Sequence, residues 1–191
     1  MPNYHRVYLP GGTFFFTLVS HNRLKIFQDS QARSFLRQAI RQEQADRPFD
    51  VLAMVLMPDH LHCIWRLPQD DSDYSLRWAC IKKGFTQSWL MAGGRGSAIP
   101  AYREKLREKG VWQRRFWEHT IASEDDLIKH VNYIPYNPVK HNLASCPHVW
   151  PYSSFPRWVK DGYYKIDWLC DCEKQGVQKP DFGDIEKSVG E

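Results

Sequence analysis

The sequence predicts an α+β fold: an antiparallel sheet with two helices packed on one face and a further helix on the other. Three observations carry this. Strand-sized stretches at residues 13–19, 51–57, 61–66 and 118–121, the first two of them apolar runs, alternate with two amphipathic stretches in the order strand, helix, strand, strand, helix, strand. That order is the split βαβ, or ferredoxin-like, arrangement. Side chains of the third run alternate, His60, His62 and Ile64 against Leu61, Cys63 and Trp65, so both of its faces have a use. A third amphipathic stretch, from Ser123 on, follows the last strand, and the sheet face left free is the one it can cover.

Each element has its own signals. Gly11-Gly12 supplies a turn or a close backbone approach before the buried strand Thr13–Val19. Asp29 or Ser30 can cap a helix running to about Ala45, with Phe35, Leu36, Ala39 and Ile40 inward. Pro48 ends it, and strands Val51–Met57 and Leu61–Arg66 follow, joined tightly around Pro58-Asp59. The second helix starts near Ser72 or Asp73 and carries the stripe Tyr74, Trp78, Ile81, Phe85, Trp89. Residues 91–110 read as a mobile, Gly-rich loop with a short helix from Tyr102 to Lys109. Ser123 caps the third helix, with Glu124, Asp125 and Asp126 in its first turn, where the dipole favours anions. Asn137-Pro138 is expected to close that helix, and Pro135 to kink or tighten its last turn.

Length and composition bound the rest. At 191 residues the chain suffices for one domain, placed at 1–160, followed by an acidic tail at 161–191 whose last dozen residues are expected to be disordered. No apolar run is long enough to cross a membrane, and Met1–Arg6 lacks the apolar segment of a secretory signal. Five cysteines without a repeated framework fit a reducing cytoplasm better than a disulfide scaffold. The net charge of +4 is uneven: residues 161–191 carry four Lys against eight Asp or Glu, which leaves +8 on residues 1–160. A basic body suggests a polyanionic partner, and eight Trp, nine Tyr and ten Phe offer stacking surfaces for unpaired bases beyond those the core needs. Gly11, Gly12, Arg77, Lys82, Lys83, Arg114 and Arg115 are candidate nucleic-acid contacts, with strand entry and a solvated surface as the plain alternatives. The acidic tail is expected to fold back on the basic body and compete with DNA, so that removing residues 170–191 would change affinity and nicking.

The chemistry centres on Met57-Pro58-Asp59-His60-Leu61-His62-Cys63-Ile64-Trp65. Two imidazoles two residues apart on one sheet face can share a divalent cation. On the third helix, Asp126, His130, Tyr133 and Asn137 recur at spacings of four, three and four, so Tyr133 and Asn137 project from one face a turn apart. A metal held by His60, His62 and the amide oxygen of Asn137 keeps positions open for phosphate oxygens, and Tyr133 can attack phosphorus in line. Tyr136 is the rival nucleophile, but Asn137 cannot lie one turn beyond it. His119 and His130 are candidate hydrogen-bond partners for a ligand imidazole. Cys170-Asp171-Cys172, with Cys146 or His148, hints at zinc without the spacing of a zinc ribbon.

These segments resemble the REP-associated tyrosine transposases, bacterial relatives of the single-tyrosine HUH transposases. The likeness runs through Tyr8-Leu9-Pro10-Gly11-Gly12-Thr13-Phe14-Phe15, the histidine segment, Phe116-Trp117-Glu118-His119, His130–Ile134, Asn137-Pro138-Val139-Lys140-His141 and Trp150-Pro151-Tyr152-Ser153-Ser154. It implies metal ligation by His60, His62 and Asn137, Tyr133 as nucleophile, and a Mg²⁺- or Mn²⁺-dependent nickase and strand transferase. The implied substrates are single-stranded DNA hairpins of repetitive extragenic palindromes, flanked by a guide tetranucleotide. A cytoplasmic, nucleoid-associated monomer or homodimer is expected. Two other readings use part of the same pattern. A non-catalytic DNA or RNA hairpin-binding regulator needs only the basic body and the aromatics, whereas a metal-dependent hydrolase using activated water needs the histidines but not Tyr133.

Overall fold

A computed structural model of the chain describes residues 6–170 together with Pro180, Phe182 and Ile185. Four strands, β1 (Thr13–Val19), β2 (Asp50–Leu56), β3 (His60–Arg66) and β4 (Trp117–Thr120), form one antiparallel sheet in the order β2-β3-β1-β4. The register opposes Val19 to His60, Thr17 to His62 and Phe15 to both Ile64 and His119. Because side chains alternate, this pairing fixes which residues share each face.

On one face Phe14, Phe16, Leu18, Leu61, Cys63 and Trp65 are buried under α1 (Ser30–Asp46) and α2 (Tyr74–Met91). Asp29 starts α1 by accepting from the Gln31 and Ala32 amides at 2.6 and 3.2 Å, and Asp73 starts α2 by accepting from Leu76. Large rings dominate the packing: Trp65 stacks on Trp78 with centroids 3.9 Å apart, and Phe16 meets Trp65, Tyr74 and Trp78. Each such ring contributes about 1.5–3 kcal/mol by leaving water. The other face, with Phe15, Ala53, Val55, Met57 and Ile64, is covered by Tyr133 and Ile134 of α4 (Glu124–Lys140) and by Trp158 of α5 (Phe155–Lys160).

Four expectations are corrected. Arg77 is buried rather than facing solvent. Its guanidinium donates to the Asp71 carboxylate at 2.7 Å and to the carbonyls of Arg47, Pro48 and Asp73, tying α2 to the segment after α1. Arg77→Met is therefore expected to lower stability by about 3 kcal/mol, because it strands these acceptors. The urea midpoint checks this, and an unchanged midpoint would mean that the bonds contribute nothing.

Second, α4 does not close at Asn137-Pro138 but runs to Lys140, with both Pro135 and Pro138 inside it. The two missing amides free only the carbonyls of Val131 and Ile134, and the next turn is held by the His141 amide on Asn137 O. Third, residues 91–110 are stitched together rather than loose. Ser97 N donates to Gly110 O at 2.8 Å, and a side chain at Gly96 would strike the carbonyl of Lys109. The short helix there is α3 (Ala101–Lys105). Fourth, Cys146 and Cys170 are joined as a disulfide, while Cys63 and Cys80 are free.

The segment after α4 reaches the edge strand β2: Leu56 N donates to Tyr152 O, Ser154 N to Met54 O, and Trp150 Nε1 to Leu56 O. These bonds cover an edge that would otherwise present unpaired backbone groups. Residues past 160 continue the same packing, with Tyr164 and Trp168 against Phe155 and the Tyr164 hydroxyl donating to Asn132 Oδ1 at 2.5 Å. Burial pushes that phenol up to about 12. Most of the last dozen residues lie outside the described residues. Among the described residues no helix is long and apolar enough to cross a membrane.

Candidate active site

Strand β3 turns His60 and His62 toward α4, and both imidazoles are buried, with ring centroids 5.0 Å apart. Each ring is oriented through Nδ1, by the Asp59 carboxylate at 2.6 Å for His60 and the Thr17 hydroxyl at 2.9 Å for His62. The nitrogen that each could present to a metal is therefore Nε2. Burial alone would raise the pKa of Asp59, but His60 and the Arg23 guanidinium outweigh it and hold the carboxyl at about 2. Helix α4 supplies the opposite wall. Asn137 is fully buried and its Nδ2 donates to the Tyr133 carbonyl at 3.0 Å. Its Oδ1 is buried without a hydrogen-bond partner among the described residues. A buried acceptor left in this way is costly unless something absent here binds it, and two imidazole nitrogens with one amide oxygen suit a divalent cation.

The Tyr133 ring lies 5.7 Å from that of His62, and Lys140 donates to its hydroxyl at 2.7 Å. Lys140, two turns along from Tyr133 and one from Asn137, was missed by the sequence reading, although the 4 and 3 spacing places it on the same face. His141, whose ring stands 5.5 Å from that of His60, was missed as well. Tyr136 points elsewhere and stacks on Phe182.

The family model described as "Transposase IS200 like" matches residues 12–137, more than half of the chain. Over 171 residues the chain is 42% identical to a REP-associated tyrosine transposase of Escherichia coli K12, covering 90% of this chain and 93% of that one. The chain belongs to the IS200-like transposases, among the REP-associated tyrosine transposases. A second relative, a putative REP-associated tyrosine transposase of Haemophilus influenzae, is 41% identical over 168 residues, covering 88% of this chain and 93% of the relative. A solved REP-associated tyrosine transposase bound to a REP hairpin superposes with a TM-score of 0.74 at 40% identity, covering 94% of this chain and 98% of its own.

In this transposase His119 and His130 form a separate cluster. His119 Nε2 lies 2.9 Å from Asp126 Oδ2, His130 Nδ1 lies 3.0 Å from Asp126 Oδ1, and the two rings stack at 4.7 Å. Phe15 sits between this cluster and the expected ligands, 4.8 Å from the His130 ring and 5.4 Å from that of His62. Thr17 and Asp59 are thus the residues that orient the expected ligands through Nδ1. Burial, aided by His119, lowers the pKa of His130 despite Asp126.

The transposase's remaining candidates divide by exposure. Lys83, Arg114 and Arg115 face solvent, and Lys82 is half-buried, its ammonium donating to Gln113 O at 2.7 Å. Burial and Arg6 lower the pKa of Lys82 to about 8. Lys82, Lys83, Arg107, Lys109 and Arg114 line a groove of about 520 Å³. It lies close in connectivity to the histidines, because Gln113 N donates to Val19 O and Val19 opposes His60. Gly11 (φ 69°) and Gly12 serve the turn itself: a Cβ on Gly12 would meet the Phe14 ring at 2.7 Å.

Proposed function

We propose that this chain nicks and transfers single-stranded DNA at REP-type hairpins, with Tyr133 as nucleophile and Mg²⁺ or Mn²⁺ held by His60, His62 and Asn137. The observation that carries the reading is the buried Asn137 Oδ1, set one turn from Tyr133 and opposite two imidazoles already oriented through Nδ1. The cation, when bound, supplies Lewis-acid polarisation of the scissile phosphate. The residues do the rest. Lys140 donates to the phenol oxygen and stabilises negative charge on it as it attacks. Tyr133 Oη gives up its proton to solvent and forms a bond to phosphorus as the bond to the leaving oxygen breaks, and that oxygen takes up a proton from solvent. The phosphotyrosine keeps the phosphodiester energy, so a second strand end can reverse the step without an external energy source. The groove at Lys82, Lys83 and Arg114 supplies phosphate contacts. All these residues come from one chain, and the work belongs in the cytoplasm, at the nucleoid.

The test is a labelled single-stranded hairpin from the host's own palindromes, incubated with Mn²⁺ and resolved under denaturing conditions. A protein–DNA adduct is expected. Binding without cleavage, across several hairpins and both metals, would replace this reading with the regulator.

One observation bears on how active the resting chain is. Tyr133 is fully buried, and Phe182 packs edge-on over its ring at 5.5 Å. Lifting a buried Phe costs about 1.5–3 kcal/mol, so Phe182→Ala is expected to raise the adduct-forming rate roughly 10- to 100-fold. A single-turnover rate equal to wild type would remove the expected competition between tail and DNA.

A further inference from the structure

The cluster of Cys146, His148 and Cys170 stands apart from the site above. Cys146 precedes the 3₁₀ turn Pro147–Val149, whose first bond runs from Val149 N to Cys146 O, so Cys146 and His148 emerge on neighbouring sides of one tight turn. Cys170 reaches them from a turn closed on Asp167 O. One donor atom from each residue lies within 4.8 Å of the other two, and the Cα atoms of the cysteines are 4.3 Å apart. A tetrahedral zinc with bonds of about 2.3 Å to sulfur and 2.0–2.1 Å to nitrogen holds its donors roughly 3.5–4 Å from one another. Once the disulfide is opened the two sulfurs part to that spacing, and the His148 nitrogen is already within 4.8 Å of both.

The two sulfurs alone would be explained by the disulfide that joins them. His148 is not so explained. Its Nδ1 is buried and has no hydrogen-bond partner among the described residues, and a disulfide offers an imidazole nitrogen no bond of comparable strength. Two thiolates and an imidazole are a borderline-soft donor set, matched to Zn²⁺ and not to the Mg²⁺ or Mn²⁺ suited to two imidazoles and an amide.

We infer that Cys146, His148 and Cys170 form a structural zinc site, with the disulfide as its oxidised alternative. A dithiol reductant gives the disulfide two electrons and two protons, opening it to two thiols. The thiols release those protons when the cation binds, and His148 contributes Nδ1. Cys172, two residues on, lies outside the described residues and is not counted among the ligands. The site fastens the segment after α4 to the chain at residue 170, upstream of the Phe182 that covers Tyr133.

The experiment uses the full chain, reduced and metal-free, titrated with Co²⁺ and then Zn²⁺ while the thiolate-to-cobalt charge-transfer band is followed. The band is expected to saturate with one thiolate-bound Co²⁺ per chain, apart from any Co²⁺ taken up by His60, His62 and Asn137, and to be displaced by Zn²⁺. The band should be lost in Cys146→Ser and Cys170→Ser, kept in His60→Ala, and strengthened in His148→Cys. Wild type oxidised to the disulfide should show no band, a comparison that needs no variant to fold. No thiolate band in the reduced wild type, or a band indifferent to Cys146→Ser in a folded variant, overturns the site.

Discussion

Tyr133→Phe is expected to abolish the denaturation-resistant adduct and slow strand cleavage on the order of 10⁴-fold or more, while hairpin affinity stays within about two-fold of wild type. The substitution removes one oxygen and keeps the ring. The ring is what packs against Phe15, His62 and Phe182, so the melting temperature should hardly move. The lost oxygen is the one that Lys140 approaches at 2.7 Å, so the variant separates the bond-making group from everything that positions DNA. Gel analysis of the labelled hairpin reads both quantities from one sample. Cleavage that persists at the wild-type rate without an adduct would hand the nucleophile's role to water and support the hydrolase reading.

His62→Ala is expected to reduce Mn²⁺ binding at least 10²-fold and to take cleavage down with it. The companion change Thr17→Val removes only the 2.9 Å contact to Nδ1, and should weaken binding by about ten-fold. Calorimetric titration of the folded variants with Mn²⁺ measures the first effect directly, without reference to activity. His62 is fully buried and stacked on Phe15 at 5.4 Å, so the alanine also leaves a cavity. His62→Gln, which fills the space and retains a weaker donor, guards against mistaking instability for lost ligation. Metal affinity unchanged in both variants would exclude this nitrogen from the site.

Much of the fold was legible because its signals were local. Strand β1 occupies the residues that its aromatic run marks, and Asp29, Asp73 and Ser123 cap the helices they precede. The face shared by His60, His62 and Ile64 follows from alternation alone. What escaped was non-local or depended on neighbours. Arg77 sits three residues from Tyr74 and one from Trp78, close enough to the apolar stripe for its acceptors on Arg47, Pro48 and Asp71 to draw it inward. Nothing near residue 77 in sequence announces the carbonyls of Arg47 and Pro48. The end of α4 was misplaced because proline's local penalty was weighed without the packing that buries Pro135 and Pro138. The pairing of Cys146 with Cys170 spans 24 residues, and a count of cysteines carries no information about it.

The alternation along β3 has a consequence for the living cell. The strand serves the helix-packed core with Leu61, Cys63 and Trp65 and the candidate site with His60 and His62. A slip of one residue would turn the histidines into the aromatic core and the tryptophan out of it, so no near-native arrangement keeps one half and not the other. The two halves also arrive at different times. During synthesis β3 is complete before α4, and the histidines emerge some seventy residues ahead of Tyr133 and Asn137. A growing chain, or one that has lost its sheet, therefore holds the parts of the candidate site without the site. On the function proposed above, completion of the fold acts as the safety catch.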